Sequence, residues 1–253
     1  MNNWLCKTLA ILVLACCSTV GAYAQRDAAA KSSSTVAATV TVTPAITAST
    51  TPVELARVAF NAQGGEKFRS VKNMVLKGSV ELFAPNSTQS IPGSFFLIVA
   101  GQKVRLEIDA RPIAFLKQIY DGQQYYSSMP GVELPAPSKF GMAVLSRYDQ
   151  PGYTVSAIPD KKKLRGFRIS DEDGNVTDFY MDVTSGRVMS FLIPYNGYVF
   201  GTENKKFKEV DGVLIASSFS QRLETPQGAF FADYTVKDIK LNQPLGDDVF
   251  ALP

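Results

Sequence analysis

Histidine is absent from all 253 residues. With it go the commonest general base, the commonest zinc ligand and every Ser-His-Asp arrangement. Cysteine is scarce: Cys6, Cys16 and Cys17 are the whole complement, all at the extreme N-terminus. If that segment is removed on export, the rest of the chain has no thiol. It then has no disulfide, no thiolate nucleophile and no cysteine-bound metal. No serine is followed three residues later by lysine, and no G-x-S-x-G elbow, phosphate loop or dinucleotide fingerprint occurs. A strong charge of one sign is missing too. The 26 basic and 23 acidic residues leave a formal net charge of +3, without the concentrated basic face that nucleic acid demands. The densest basic run, Lys161 to Arg165, reads as a solvated turn or strand end, with contact to anionic lipid headgroups as the alternative. "SDEDGN" (170–175) has acids but not the alternating spacing of a calcium loop, so it reads as a hairpin turn. Acids remain, but nothing singles out a catalytic pair. The expectation is a protein that is not an enzyme, with no metal and no cofactor. The chemistry left to it is burial and release of apolar matter.

The first 24 residues read as a signal peptide. Lys7 supplies the positive start, "TLAILVLACCSTVG" the apolar core, and Ala22-Tyr23-Ala24 the small-x-small cleavage signal. The apolar run is too short to span a bilayer comfortably. A second reading stands beside it: "VLAC", Val13 to Cys16, is similar to a bacterial lipobox, which would make Cys16 an acylated N-terminus and the protein a membrane-anchored lipoprotein. Residues 26–50 contain seventeen Ala, Ser or Thr and no aromatic residue. So little apolar bulk cannot offset the cost of ordering, and residues 25–51 read as a flexible tether or tail. With Cys16 acylated, a tether of roughly 35 residues would reach about 30–35 Å from the membrane.

The folded domain is expected over 52–253. "TPVELARVAFNAQGG" has Thr51 as an N-cap, Pro52 at the first helical position, Glu54 in the first turn and Gly64-Gly65 as a stop. Val53, Leu55, Val58 and Ala59 form its apolar stripe. Twelve strands are expected after it: 74–83, 93–100, 103–109, 117–120, 123–128, 153–158, 163–170, 176–183, 187–193, 198–210, 213–224 and 229–241. Gly101, Asp121-Gly122, "DEDGN" (171–175), "TSGR" (184–187), Asp211-Gly212 and "TPQG" (225–228) punctuate them as hairpin turns. Sequential hairpins give an antiparallel meander, and so many strands must curl or close into a barrel. One stretch breaks the rhythm. In "APSKFGMAVLSRYDQPGY" (136–153), Phe140, Val144, Leu145 and Tyr148 fall at helical spacing, with Ser138 as a candidate cap. A short helix inserted in the meander is expected there.

The order of these pieces resembles the LolA/LolB-like superfamily of outer-membrane lipoprotein-sorting proteins. The features that carry the likeness are the helix ending in "AQGGEKFRSV", the strand "KNMVLKGSVEL", then "GSFFLIVAGQKVRLEI" and "YDGQQYY". The helix-like "PSKFGMAVLSRYD", the pair "LRGFRISDEDGNVTDFYMDVTSGRVMSFLI", "EVDGVLIASSF" and the terminal "VKDIKLNQPLGDDVFALP" follow. Together they run over nearly all of 52–253. The resemblance implies a mainly β (α+β) fold: a strongly curved antiparallel meander forming an unclosed barrel, its mouth covered by an N-terminal helix and a short lid helix. It implies a periplasmic carrier of lipid or lipoprotein acyl chains, with transient membrane association. On the same scaffold it also allows a module that binds an envelope protein partner as a stress sensor. Two features depart from the pattern: the Ala/Ser/Thr tract, and the lack of a recognisable protruding apolar loop.

On this reading Phe95, Leu97, Val99, Leu106 and Ile108 are candidates for the cavity wall. Phe140, Met142, Val144 and Leu145 are candidates for a gate that swings on Pro137 and Pro151. For each, ordinary core packing is the competing explanation. The resemblance also offers Arg105 as a residue bonding across to the lid, against the alternative of pointing to solvent beside Glu107.

Overall fold

The computed structural model describes residues 46–128, 137–225, 228–246 and 248–253. The expected signal peptide, Cys16, most of the Ala/Ser/Thr tract and the centre of the "TPQG" turn lie outside the described residues.

Helix α1 (Pro52–Ala62) begins as its sequence dictates. The Thr51 hydroxyl accepts the Glu54 amide at 3.3 Å, and the Glu54 carboxylate accepts the Thr51 amide at 2.8 Å. This reciprocal box satisfies two amides that the helix start leaves free. Leu55, Ala56, Val58, Ala59 and Phe60 are buried, but Val53 is 53% exposed. Two residues from Leu55, it stands on nearly the opposite side of the helix, which corrects the expected stripe. Gly64-Gly65 ends α1 as expected, and a one-turn helix α2 (Glu66–Arg69) follows at once.

Twelve strands follow among the described residues: β1 (Asn73–Phe83), β2 (Ser90–Ala100), β3 (Lys103–Ala110), β4 (Ala114–Tyr120), β5 (Tyr125–Ser127), β6 (Tyr153–Ala157), β7 (Leu164–Asp171), β8 (Val176–Asp182), β9 (Val188–Tyr195), β10 (Tyr198–Val210), β11 (Val213–Thr225) and β12 (Gly228–Leu241). All pair antiparallel in one sheet of order β5-β4-β3-β2-β1-β12-β11-β10-β9-β8-β7-β6. Each hairpin-connected pair is adjacent, as a meander requires. The first and last strands also pair, so the sheet's two free edges are β5 and β6 in mid-chain. The sheet stays open at the one place where residues 128–152 leave it.

Alternation along the strands sorts side chains into two faces. The inner face carries the main core: Leu76, Val80 and Leu82 of β1, Phe179 of β8, Phe191 of β9 and Tyr234 of β12, with α1 and α2 packed into it. The outer face carries a second, smaller core. Val75, Ile98 and Ile119 are covered there by Phe250 of the C-terminal segment, flanked by Leu245, Val249 and Leu252.

Two turns show how charged runs are spent. Asp171 accepts from the Asn175 amide at 2.9 Å and from Asn175 Nδ2 at 2.8 Å, so the acidic run "DEDGN" is a hairpin turn. Arg165, at the end of the lysine run, donates to the carbonyls of Thr47, Ala48 and Thr50. Ile46 packs against the main core. Residues 46–50, within the tract expected to be tether, thus contact the domain.

Candidate functional site

The chain that leaves the sheet between β5 and β6 returns across its inner face. It forms a single 3-10 turn (Pro137–Lys139) and then α3 (Met142–Leu145), a four-residue helix. The expected helix is thus broken in two. Gly141, with φ +61°, sits between the pieces and is the N-cap in place of Ser138, because that backbone conformation costs glycine nothing. Ser138 is buried instead.

The lid residues Phe140, Met142, Val144 and Leu145 are all buried in the main core. Phe140 meets the Tyr195 ring edge-on at 5.7 Å, and Tyr148 tilts against Phe60 at 5.5 Å. Burial raises the Tyr148 hydroxyl above the usual phenol range. A few polar contacts hold the lid's backbone. The Gly141 amide donates to Thr177 Oγ1 at 3.0 Å, Arg69 Nε donates to the Ser146 carbonyl at 2.8 Å, and Arg147 donates to the Ser138 carbonyl at 2.6 Å. Lys139–Asp173 and Arg69–Asp149 add ion pairs at the rim.

The expected wall residues Phe95, Leu97, Val99, Leu106 and Ile108 also point inward and are buried in that same core. They and the lid therefore share one cluster. The interior, however, is not an open hollow. Phe167 stacks on Phe179 at 5.1 Å, Phe179 tilts against Phe191 at 6.0 Å, and Phe219 stacks on Tyr234 at 4.8 Å. These rings fill the space beneath the sheet.

Among the described residues a small apolar cavity of about 40 Å³ lies under the lid. It has room for roughly one to three waters, not for an acyl chain. Its wall is Met142 from the lid, Phe68 and Val71 from the α2 region, Met74, Phe191, Val213, Ile215 and Leu241 from the sheet, and the polar Gln63 and Asn204. Of the nine residues expected to touch a cargo, Met142 alone lines this void. The others named were not found from sequence because they come from five separate segments. Strand alternation marks those on the sheet as inward-facing, but no local motif links the wall residues.

Of the two readings offered for Arg105, the structure shows it beside Glu107. Val104 and Leu106 face inward, so Arg105 faces outward. It holds Glu107 at 2.6 Å and donates to the Val249 carbonyl at 3.0 Å. The side chain ties the C-terminal segment to the outer face, with the sheet between it and the lid.

The outer face also carries a wider groove of about 580 Å³, lined by Lys77, Lys237, Arg111, Glu107, Asp109, Phe96 and Phe115. Its charged, open lining does not suit an acyl chain. At one end Ile113 of the β3–β4 turn and Phe115 at the start of β4 are exposed. Arg111 donates to Asp109 through Nε at 2.9 Å, and its amide donates to the same carboxylate at 3.2 Å. The guanidinium bonds and then the backbone bond hold the Asp109 carboxyl down to about 2. This exposed apolar turn was not recognised from the sequence, since "RPIAF" carries no strand or helix period. Among the described residues, no group of three or more His, Cys, Asp or Glu is placed to hold a metal.

No family model and no curated protein matches the chain. Solved structures do. A LolA superfamily protein from Nitrosomonas europaea superposes with a TM-score of 0.54 at 11% identity, over 80% of this chain and 98% of that one. A DUF1329 family protein from Desulfovibrio piger superposes at 0.46 and 10% identity, over 79% and 98% of the two chains. At such identity the first likeness speaks for the fold. The chain shares that structure's fold: an unclosed, curved antiparallel sheet with short helices over its inner face.

Proposed function

We propose that this protein is an exported carrier that takes the acyl chain of a lipid or lipoprotein into the space now filled by its own lid. The observation that carries this reading is the position of α3. Its Met142 forms a wall of the apolar cavity, and the segment bearing it leaves the sheet where the sheet is unclosed.

The magnitudes support an exchange. Burying an acyl chain of about 16 carbons is worth roughly 10–12 kcal/mol. Exposing four buried lid side chains costs about 6–12 kcal/mol. The two nearly balance, as a protein that must both load and unload requires. The packed interior is then the unloaded state, with the lid as the occupant that cargo displaces. Passage through the bacterial periplasm, with or without an acyl anchor on Cys16, agrees with the N-terminal sequence and with the fold likeness.

The test is a titration with a fluorescent hexadecanoyl probe. Carriage predicts saturable binding with one probe per chain and faster hydrogen exchange of the 141–148 amides in the complex. Absence of binding, with the lid amides unchanged, contradicts it.

The packed interior itself favours one other reading, a module on the same scaffold that binds an envelope protein by its surface. Failed lipid binding together with recovery of one stoichiometric envelope protein would select that reading.

A further inference from the structure

Asn204 is the residue in the cavity wall that apolar burial does not explain. It is 5% exposed and lies on the inner face of β10, at the point where the register with β11 shifts. Such bulges redirect side chains and recur beside functional sites. Asn204 Nδ2 donates to the Val188 carbonyl of β9 at 2.9 Å. A carbonyl accepts only, so this bond fixes which end of the amide is nitrogen and leaves Oδ1 as the acceptor on the other side. That oxygen is fully buried and finds no hydrogen-bond donor among the described residues.

A buried acceptor left unpaired is costly, and protein interiors rarely tolerate one without cause. Solvent is a poor answer to it. A buried water needs two to four polar partners, and Asn204 and Gln63, the polar side chains on this wall among the described residues, supply only the minimum. Gln221 Oε1 is also unpaired, but it lies off the cavity wall. A ligand that is apolar along its length and carries one hydrogen-bond donor would complete the wall.

From this we infer that Asn204 selects the cargo: Oδ1 accepts from a donor at the head of an acyl chain, an amide N–H or a hydroxyl, and so disfavours chains joined through an ester. The inference rests on the carrier reading and adds to it a chemical class and the residue that reads it. An ester seated in the same place leaves the acceptor buried and unmet, and presents a second oxygen to it.

The experiment compares N-methylhexadecanamide with methyl hexadecanoate. They match in length and shape and differ in one N–H. Each is titrated against the fluorescent hexadecanoyl probe on the wild-type protein. The amide is expected to displace the probe at about a tenfold lower concentration than the ester. In Asn204→Leu the two are expected to act alike. A ¹⁵N-labelled amide bound to wild-type protein should show a cross-peak from its N–H to the Asn204 side chain, a readout that needs no variant to fold. Equal displacement by both compounds, a preference that survives in folded Asn204→Leu, or an amide proton remote from Asn204 overturns the inference while carriage stands. Failure of either compound to displace the probe, where the probe itself does not bind, overturns carriage and the inference with it.

Discussion

The amide of Gly141 donates to the hydroxyl of Thr177 at 3.0 Å, deep beneath the lid, where Thr177 has no solvent exposure. This bond ties the turn before α3 to β8. Thr177→Val keeps the shape and removes the acceptor, stranding a buried N–H at a cost of about 1–3 kcal/mol to the closed lid. The variant should melt lower and exchange its 141–146 amides faster. It should also bind the hexadecanoyl probe more tightly, because cargo then displaces a weaker competitor. A variant that is destabilised yet binds no better would separate the lid from the cargo site.

Arg105 and Val249 mark a different boundary. Since Arg105 holds the C-terminal segment on the outer face, Arg105→Met should loosen residues 245–252 at a cost of about 1 kcal/mol. Proteolysis of the C-terminus should accelerate while lipid affinity stays unchanged. Altered affinity would restore the lid role expected from sequence.

Asp109 gives the turn bearing Ile113 and Phe115 a pH signature. Its carboxyl titrates in the folded state near 2, below the ordinary 3.8. A lowered folded value means that the Asp109–Arg111 contacts act fully above the unfolded value and are lost as pH falls toward 2. Carboxyl chemical shifts should place the midpoint near 2 in the wild type and higher in Arg111→Ala, though short of 3.8 because the backbone bond from residue 111 remains. The pair lies at the surface, so global melting near neutral pH should change little.

Gly78 tests the packing of β1 against β12. A Cβ there would lie 2.0 Å from the Thr235 carbonyl oxygen and 2.8 Å from Phe95 Cε1. Gly78→Ala should cost roughly 1–3 kcal/mol or more, because one contact is backbone and cannot rotate away. Chemical denaturation reads this directly, with Ser79→Ala on the other face as the near-neutral control.

Much of the fold was legible because alternation and turn chemistry are local. All twelve expected strands are present, though β2 and β4 each start three residues earlier than expected, and Thr51-Pro52 with Glu54 marks α1 by capping alone. Phe95, Leu97, Val99, Leu106 and Ile108 share one face for the same reason. What sequence could not show was pairing between distant parts. Whether β1 meets β12, and so where the sheet opens, depends on a contact spanning the whole domain. The lid helix was overestimated because Phe140 and Tyr148 keep helical spacing across Gly141, whose positive φ breaks the helix. The resemblance offered Arg105 as a lid contact beside the reading that it lies by Glu107, and its alternation with Val104 and Leu106 turns it outward to Glu107. The cavity itself was least legible: whether rings fill a hollow is decided by volumes contributed from many strands at once.

Native mass spectrometry of the protein purified from its own envelope weighs any cargo without choosing it beforehand. The account predicts a population heavier than the bare chain by the mass of one acylated species, released when the lid is opened by mild denaturant. A single species at the mass of the bare chain, under conditions that preserve a hexadecanoyl complex formed in vitro, would contradict it.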